Sequence, residues 1–289
     1  MWGPQKQRMR LLALGSCRVH DPLMASHREG RVDYLNRRFK TRHPIYLHEI
    51  HEMTQFVQLA REETAMPPGI GSFAFDKGLR LDERMPALID QANGLVIEVC
   101  TDKHYEAIGF TLNVNEVHRQ LVEGTGAAGA AWWAEIDRGD RPSDDLVQRV
   151  EATLRARRTL TETHRLMLRE ISFAQLSPSD IARGMEHLRA LIRRPILVLP
   201  HVAVRLADGA MLGERLGHIE KILAAARDAG LPTLDPRAFV ERDGQDGRWT
   251  MAGPTRITMP GTTCPPWVRK SCRHLSGAAR LGRRPPPQT

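Results

Sequence analysis

The sequence predicts a three-layer α/β/α fold with a mostly parallel sheet and a helical insertion, and three observations carry that prediction. Short apolar runs recur at Leu11–Leu14, Leu95–Val99 and Ile196–Leu199, too short for helices and suited to strands buried on both faces. Amphipathic segments lie between them, so right-handed β–α–β crossovers are expected. Each run also gives way to polar residues at its carboxyl end: Ser16, Cys17 and Arg18 after the first, Cys100 to His104 after the second, His201 after the third. In open α/β sheets that edge is where ligands bind.

Taken in order, Leu11–Leu14 reads as a central strand, and Gly15 lets the backbone turn sharply where it ends. Asp21–Pro22 fits an N-cap followed by proline at the first helical position. Pro44–His48 is a second short strand, with its proline at the start where a missing N–H is tolerated. Thr54–Arg61 and Leu81–Ala92 have helical spacing, and Gly94–Val99, near-continuous and β-branched, is the clearest strand. Residues 113–192 read as mostly helical, with start signals at Ser143–Asp145 and Ser177–Asp180. Within them Leu146–Leu168 looks like a partly solvated cap. Arg194–Pro200 is the next strand, Gly213–Gly230 an amphipathic helix closed by a C-cap glycine, and Leu231–Asp235 a short last strand.

The chain has 289 residues, 41% of them apolar, enough to bury a full core. One α/β domain is expected over residues 1–252, with its helical insertion at about 113–192, followed by a Pro- and Arg-rich tail at 253–289. The net charge of +8 suggests a nucleic-acid binder until the charges are mapped: seven basic residues and no acid lie in 253–289, so the first 252 are close to balance. Only the tail offers a surface for nucleic acid, by steeply salt-dependent binding; none is expected of the body. No run approaches the ~20 apolar residues of a membrane helix. Lys6, Arg8 and Arg10 precede Leu14–Cys17, which matches a lipoprotein cleavage site, but the apolar patch is too short for the h-region of a signal peptide. The four cysteines lack C-x-x-C spacing, which implies a reducing cytoplasm and neither a disulfide framework nor a structural zinc site.

Several residues carry candidate chemistry beside a structural reading. Cys17 is a thiol nucleophile or a small core residue, and Ser16 a nucleophile or oxyanion donor or a turn former. Arg18 suits a phosphate or carboxylate, or solvent. Glu98 is a carboxylate inside a buried strand and must be paired or protonated. Asp102, Lys103 and His104 line the same edge or sit on a loop surface, and His201 is a general base or a polar loop residue. His48–His51 lacks the i, i+4 histidines of a zinc protease, Trp132–Trp133 reads as packing, and no glycine-rich nucleotide loop occurs.

Gly15–Ser16–Cys17 after an apolar strand, Leu95–Asp102, and a late strand ending in Asp235 together resemble the SGNH/GDSL hydrolase superfamily, most closely its GSCFA-type and capsule-polysaccharide-biosynthesis acyltransferase-like members. The resemblance implies a flavodoxin-like sheet and an esterase or acyltransferase acting on an acyl group of a carbohydrate or acyl carrier. It aligns Gly15, Ser16 and Cys17 with the superfamily's Gly-Asp-Ser block, which favours Cys17 as nucleophile with Ser16 still open. Cys100–Lys103 matches the Gly-x-Asn-Asp block only loosely. Gly15, Arg18, Glu98, Asp102 and Lys103 become the expected substrate-binding residues. No cofactor is expected, with coenzyme A or another carrier as substrate. The closing Asp-x-x-His block is absent, so His201 is the base that remains. Back-translation of Pro254–Pro260 in a shifted codon frame permits the missing Asp and His, so the tail is expected to be either an irregular basic segment or a frame-shifted one. The rival reading is a non-catalytic ligand-binding module of polysaccharide biosynthesis.

Overall fold

The apolar run at the amino end forms β1 (Met9–Leu14), with its last four residues buried. The computed structural model describes residues 8–39, 45–75, 83–157, 159–202 and 213–238. The tail with its alternate frame, Pro44, and the first two residues of the Leu81–Ala92 helix therefore lie outside the described residues. From Gly15 the chain enters α1 (Cys17–Arg28) directly. This corrects the expected start at Asp21–Pro22: Ser16 has the extended backbone of an N-cap, and its Oγ accepts from the Arg18 N–H at 3.2 Å. Pro22 is instead inside the helix, where its missing N–H removes one backbone bond. Ser16 wins because a tertiary bond also anchors it, as described below.

The edge of β1 is closed in three steps. Residues Met9–Leu11 pair in parallel with β2 (Val32–Tyr34). Beyond them the Asn36 side chain takes over, donating to the Ala13 carbonyl at 2.7 Å and accepting from the Ala13 N–H at 2.8 Å. Finally the Leu47 N–H donates to the Gly15 carbonyl at 3.2 Å, and Gly15 bridges Tyr46 in parallel. The expected strand at 44–48 is thus a single bridge, because only the end of β1 is left for it to pair with.

The chain continues through α2 (Ile50–Ala60), α3 (Gly71–Ala74) and α4 (Met85–Gln91) to β3 (Gly94–Val99), which is buried throughout. Next come β4 (Lys103–Ala107), β5 (Phe110–Thr111), α5 (Val114–Val117) running into a π turn at His118–Val122, α6 (Gly126–Ile136), α7 (Asp144–Arg155), α8 (Glu162–Glu170) and β6 (Ser172–Gln175). The described elements close with α9 (Pro178–Ile192), β7 (Ile196–Pro200) and α10 (Gly213–Asp228). Ser143 and Ser177 cap α7 and α9, as their motifs predict.

The main sheet runs β2–β1–β3–β7, all parallel, and Thr233 adds a last bridge to Val198 on the outer side of β7. In chain order this is 2-1-3-4-5, the flavodoxin-type doubly wound sheet, whose ligand crevice lies at the switch point between the first and third strands. Alternate residues face opposite layers. Leu12, Leu14, Leu95, Ile97 and Val198 pack with α2, α4, α9 and α10, while Leu11, Ala13, Val96 and Leu197 pack with α1.

A separate apolar cluster lies under α5–α8 and a small antiparallel sheet, β5–β4–β6, with Trp132, Val150 and Met167 at its centre. Trp132 is buried and donates its indole N–H to the Leu168 carbonyl at 3.0 Å. The insertion thus packs around its own apolar cluster and, as expected, keeps a solvated face on α7 and α8. Gln55 of α2 joins the two parts, exchanging both amide bonds with Thr111 of β5 at 2.8 Å.

Candidate functional site

The switch point is built around a glycine. Gly15 has φ of +153°, and a Cβ there would lie 2.8 Å from both Glu98 Cβ and Val19 Cγ1. Only glycine allows β1 to turn into α1 while lying this close to β3. The turn delivers Ser16 onto Glu98, a residue 1% exposed. The Ser16 N–H donates to Glu98 Oε2 at 3.1 Å and its Oγ–H to the same oxygen at 2.5 Å. These bonds, one from the turn's backbone and one from its hydroxyl, let the carboxylate be buried.

The other carboxylate oxygen faces a different set of groups. Arg18 Nη1 lies 3.9 Å and His201 Nδ1 3.4 Å from Glu98 Oε1. Oε1 and Nδ1 are both buried, and neither makes a hydrogen bond among the described residues. His201 stands just past β7, which is paired with β3 through Glu98↔Leu199 and Val99↔Pro200. Cys100 follows β3, and one donor atom each from Glu98, Cys100 and His201 lie within 4.8 Å of one another. A small cavity beside this group is lined by Arg18, Glu98, Leu199, Pro200, Val202 and Leu234.

Cys17 is the first residue of α1 and half-buried. Burial pushes its thiol above the ordinary range; Arg18 pulls it down, and Asp21 and Glu98 push it further up. At neutral pH it is a thiol that needs a base, not a standing thiolate. Burial, then the charge of Glu98, holds the Cys100 thiol higher still. His48 borders the same region: its carbonyl accepts from the Cys100 N–H at 2.7 Å, and its Nε2 accepts from Asn115 Nδ2 at 3.0 Å. Burial lowers its imidazole pKa.

Gly15, Ser16, Arg18, Glu98 and His201 thus converge, with Cys17 on the turn beside them. Asp102 and Lys103 are engaged elsewhere. Asp102 pairs with Lys221 of α10 and lies 3.8 Å from His218; although burial opposes it, Lys221 holds this carboxyl below its ordinary range. Lys103 points its ammonium at Asp137, 2.8 Å away, and over the Phe173 ring in the small sheet. Asp235 is clamped by Arg237. In the His48–His51 segment, Glu49 caps α2 and binds His104 Nδ1 at 3.0 Å.

Sequence reasoning put Cys100 at the polar edge without giving it a role of its own, and discounted His48 with its segment. The signal for Cys100 was its i, i+2 spacing from Glu98, the spacing of side chains on one face of a strand. Nothing local marks His48, which reaches the site through the main-chain crossing at Leu47.

Fold and site define a doubly wound α/β domain with a serine–cysteine turn, a buried carboxylate and an imidazole at its switch point. The family described as the TviD N-terminal domain matches residues 9–250, and the chain belongs to that family. No curated protein and no solved structure matches it.

Proposed function

We propose that this domain acts in capsule polysaccharide biosynthesis as an SGNH-like esterase or acyltransferase, moving an acyl group between a carrier such as coenzyme A and a carbohydrate hydroxyl, or removing it. Membership of the TviD family supports the setting. The observation that carries the chemistry is the shared carboxylate: Glu98 binds the Ser16 turn through one oxygen and faces His201 through the other.

In this reading Cys17 passes its proton to His201 while its sulfur adds to the acyl carbonyl. The tetrahedral oxyanion lies at the start of α1. The Ser16 N–H is committed to Glu98 and that of Arg18 to the Ser16 hydroxyl, so the Cys17 N–H is the amide of this turn that serves it. The leaving thiolate or alkoxide takes the proton from His201. A glycan hydroxyl or water then cleaves the thioester, returning a proton through His201 to the sulfur. Arg18 faces the cavity and suits an anionic group on either substrate.

One observation favours the non-catalytic module: among the described residues no hydrogen bond joins Cys17 to His201, and the aspartates near these strand ends are taken by Lys221 and Arg237. Turnover of p-nitrophenyl acetate and acetyl-coenzyme A, with peptide mass spectrometry of the trapped acyl-enzyme, separates the two. An acyl group on Cys17 and a loss on the order of 10³-fold or more in Cys17→Ala are expected. An acyl group on Ser16 moves the nucleophile by one residue. Equal rates in wild type, Cys17→Ala and Ser16→Ala, with glycan still bound, select the binding module.

A further inference from the structure

We propose that Glu98, Cys100 and His201 form a binding site for one zinc-class divalent cation at the carboxyl ends of β3 and β7. The three donors are a carboxylate oxygen, a sulfur and an imidazole nitrogen, all within 4.8 Å of one another. That mixture suits zinc or a neighbouring transition metal, whereas magnesium and calcium take oxygen ligands.

Among the described residues two of the donors make no hydrogen bond, with the Arg18 guanidinium the nearest cation, 3.9 Å from Glu98 Oε1. Glu98 Oε1 and His201 Nδ1 are buried without a hydrogen bond among the described residues, although buried polar atoms nearly always have one. Their separation of 3.4 Å matches the edge of a tetrahedron with metal–ligand bonds of about 2.0–2.1 Å. The remaining carboxylate oxygen is held by the Ser16 N–H and hydroxyl, the outer bonds that orient a metal-binding carboxylate.

Strand geometry supplies the rest. Glu98 lies in β3 and Cys100 two positions on, just past its end, and the Val99↔Pro200 pairing puts Cys100 and His201 at neighbouring strand ends, consistent with their donor atoms lying within 4.8 Å. Three protein ligands leave a fourth position open, and the cavity lined by Arg18, Leu199 and Pro200 adjoins Glu98. Elsewhere the comparable clusters are already neutralised. Asp102 beside His218 is occupied by the Lys221 ammonium, and Glu49 by His104 and two backbone amides of α2. The donors lie far apart in sequence, so no C-x-x-C or H-x-x-x-H spacing announces them.

The inference does not rest on the acyl-transfer reading: a cation on His201 Nδ1 leaves the proton on Nε2, so the loaded site and a His201 base are alternative states, turnover is read on the metal-free chain, and the two fail separately. The full chain, stripped with a chelator, is titrated with Co²⁺ and then with competing Zn²⁺. One equivalent of Co²⁺ should bind with a thiolate-to-cobalt charge-transfer band and intense tetrahedral d–d bands, both lost on adding Zn²⁺. Cys100→Ser should abolish the charge-transfer band, and His201→Gln should weaken binding at least about 100-fold, the upper end of what losing a merely supporting group costs. Cys17→Ala should keep the band while losing ester turnover.

A second measurement needs no variant. In wild type, Zn²⁺ should shield Cys100 from alkylation, with Cys17 quantified separately by peptide mass spectrometry. A missing thiolate band, a band that survives Cys100→Ser, or equal alkylation of Cys100 with and without Zn²⁺ overturns the site.

Discussion

Replacing Gly15 by alanine tests the geometry on which the whole site depends. The added Cβ would stand 2.8 Å from Glu98 Cβ and Val19 Cγ1 and 3.2 Å from the Glu98 amide nitrogen, at a φ of +153°. Neither carbon is the loose end of a flexible chain, so β3 or α1 must move. Overpacking of this kind costs about 1–3 kcal/mol, and a side chain in this glycine-only region roughly 1–2 more. The expected loss is therefore about 2–5 kcal/mol, or roughly 4–20 °C in Tm for a chain of this size. Gly109 supplies the control: its φ is +79° and nothing lies within 4 Å of its ideal Cβ, so Gly109→Ala bears the backbone part alone, about 1–2 kcal/mol. Thermal and urea unfolding of both variants against wild type decide it. If Gly15→Ala loses no more than Gly109→Ala, β1 and β3 do not meet as described and the Ser16–Glu98 contact loses its foundation.

His20 is buried with its Nδ1 against the Tyr34 hydroxyl and its Nε2 donating to the Ile45 carbonyl at 3.1 Å. Burial, the largest cause, lowers its pKa to about 4. The unfolded chain then binds a proton near pH ~6.5 before the folded one does. Stability should fall from about pH 6.5 down to about pH 4 by about 3 kcal/mol and level off below. NMR should show the His20 ring unprotonated at pH 5.5, and a ring titrating near 6.5 would refute this. Ile108, exposed and with φ of +48°, sits beside Gly109 in the tight turn between β4 and β5. Ile108→Asn suits that backbone better and should stabilise by roughly 1 kcal/mol, seen as a Tm rise of about 2–4 °C; a fall in Tm would contradict the turn.

Much of the parallel sheet was legible because β3, β7 and the last four residues of β1 are buried on both faces and therefore almost wholly apolar, Glu98 being the exception. The α7 and α9 starts were legible because their caps are local, Ser143 and Ser177 each bonding an amide within the next turn. What failed was whatever depends on a distant partner. Asp21–Pro22 has the better local start signal, yet Ser16 caps α1 because Glu98, far along the chain, also holds it. β2 escaped notice as three residues with Asp33 in the middle, and the small antiparallel sheet as short, partly exposed strands joined by an isoleucine–glycine turn. Glu98 was marked as needing a partner: the Ser16 turn supplies its hydrogen bonds, and Arg18 pairs with its other oxygen at 3.9 Å.

Asn36 has a consequence beyond its two bonds to Ala13. One carboxamide does there the work of a neighbouring strand, so the polypeptide leaves the rim of the sheet early and the border of β1 is completed by a few atoms of side chain. The notch this creates admits the Leu47–His48 crossing, which would collide with a longer β2. Exchanging Asn36 for a residue without a paired donor and acceptor would thus loosen the border along which the Leu47–His48 crossing bonds to Gly15 and Cys100. The inventory of groups around a reactive centre includes those that keep other chain segments out of its way.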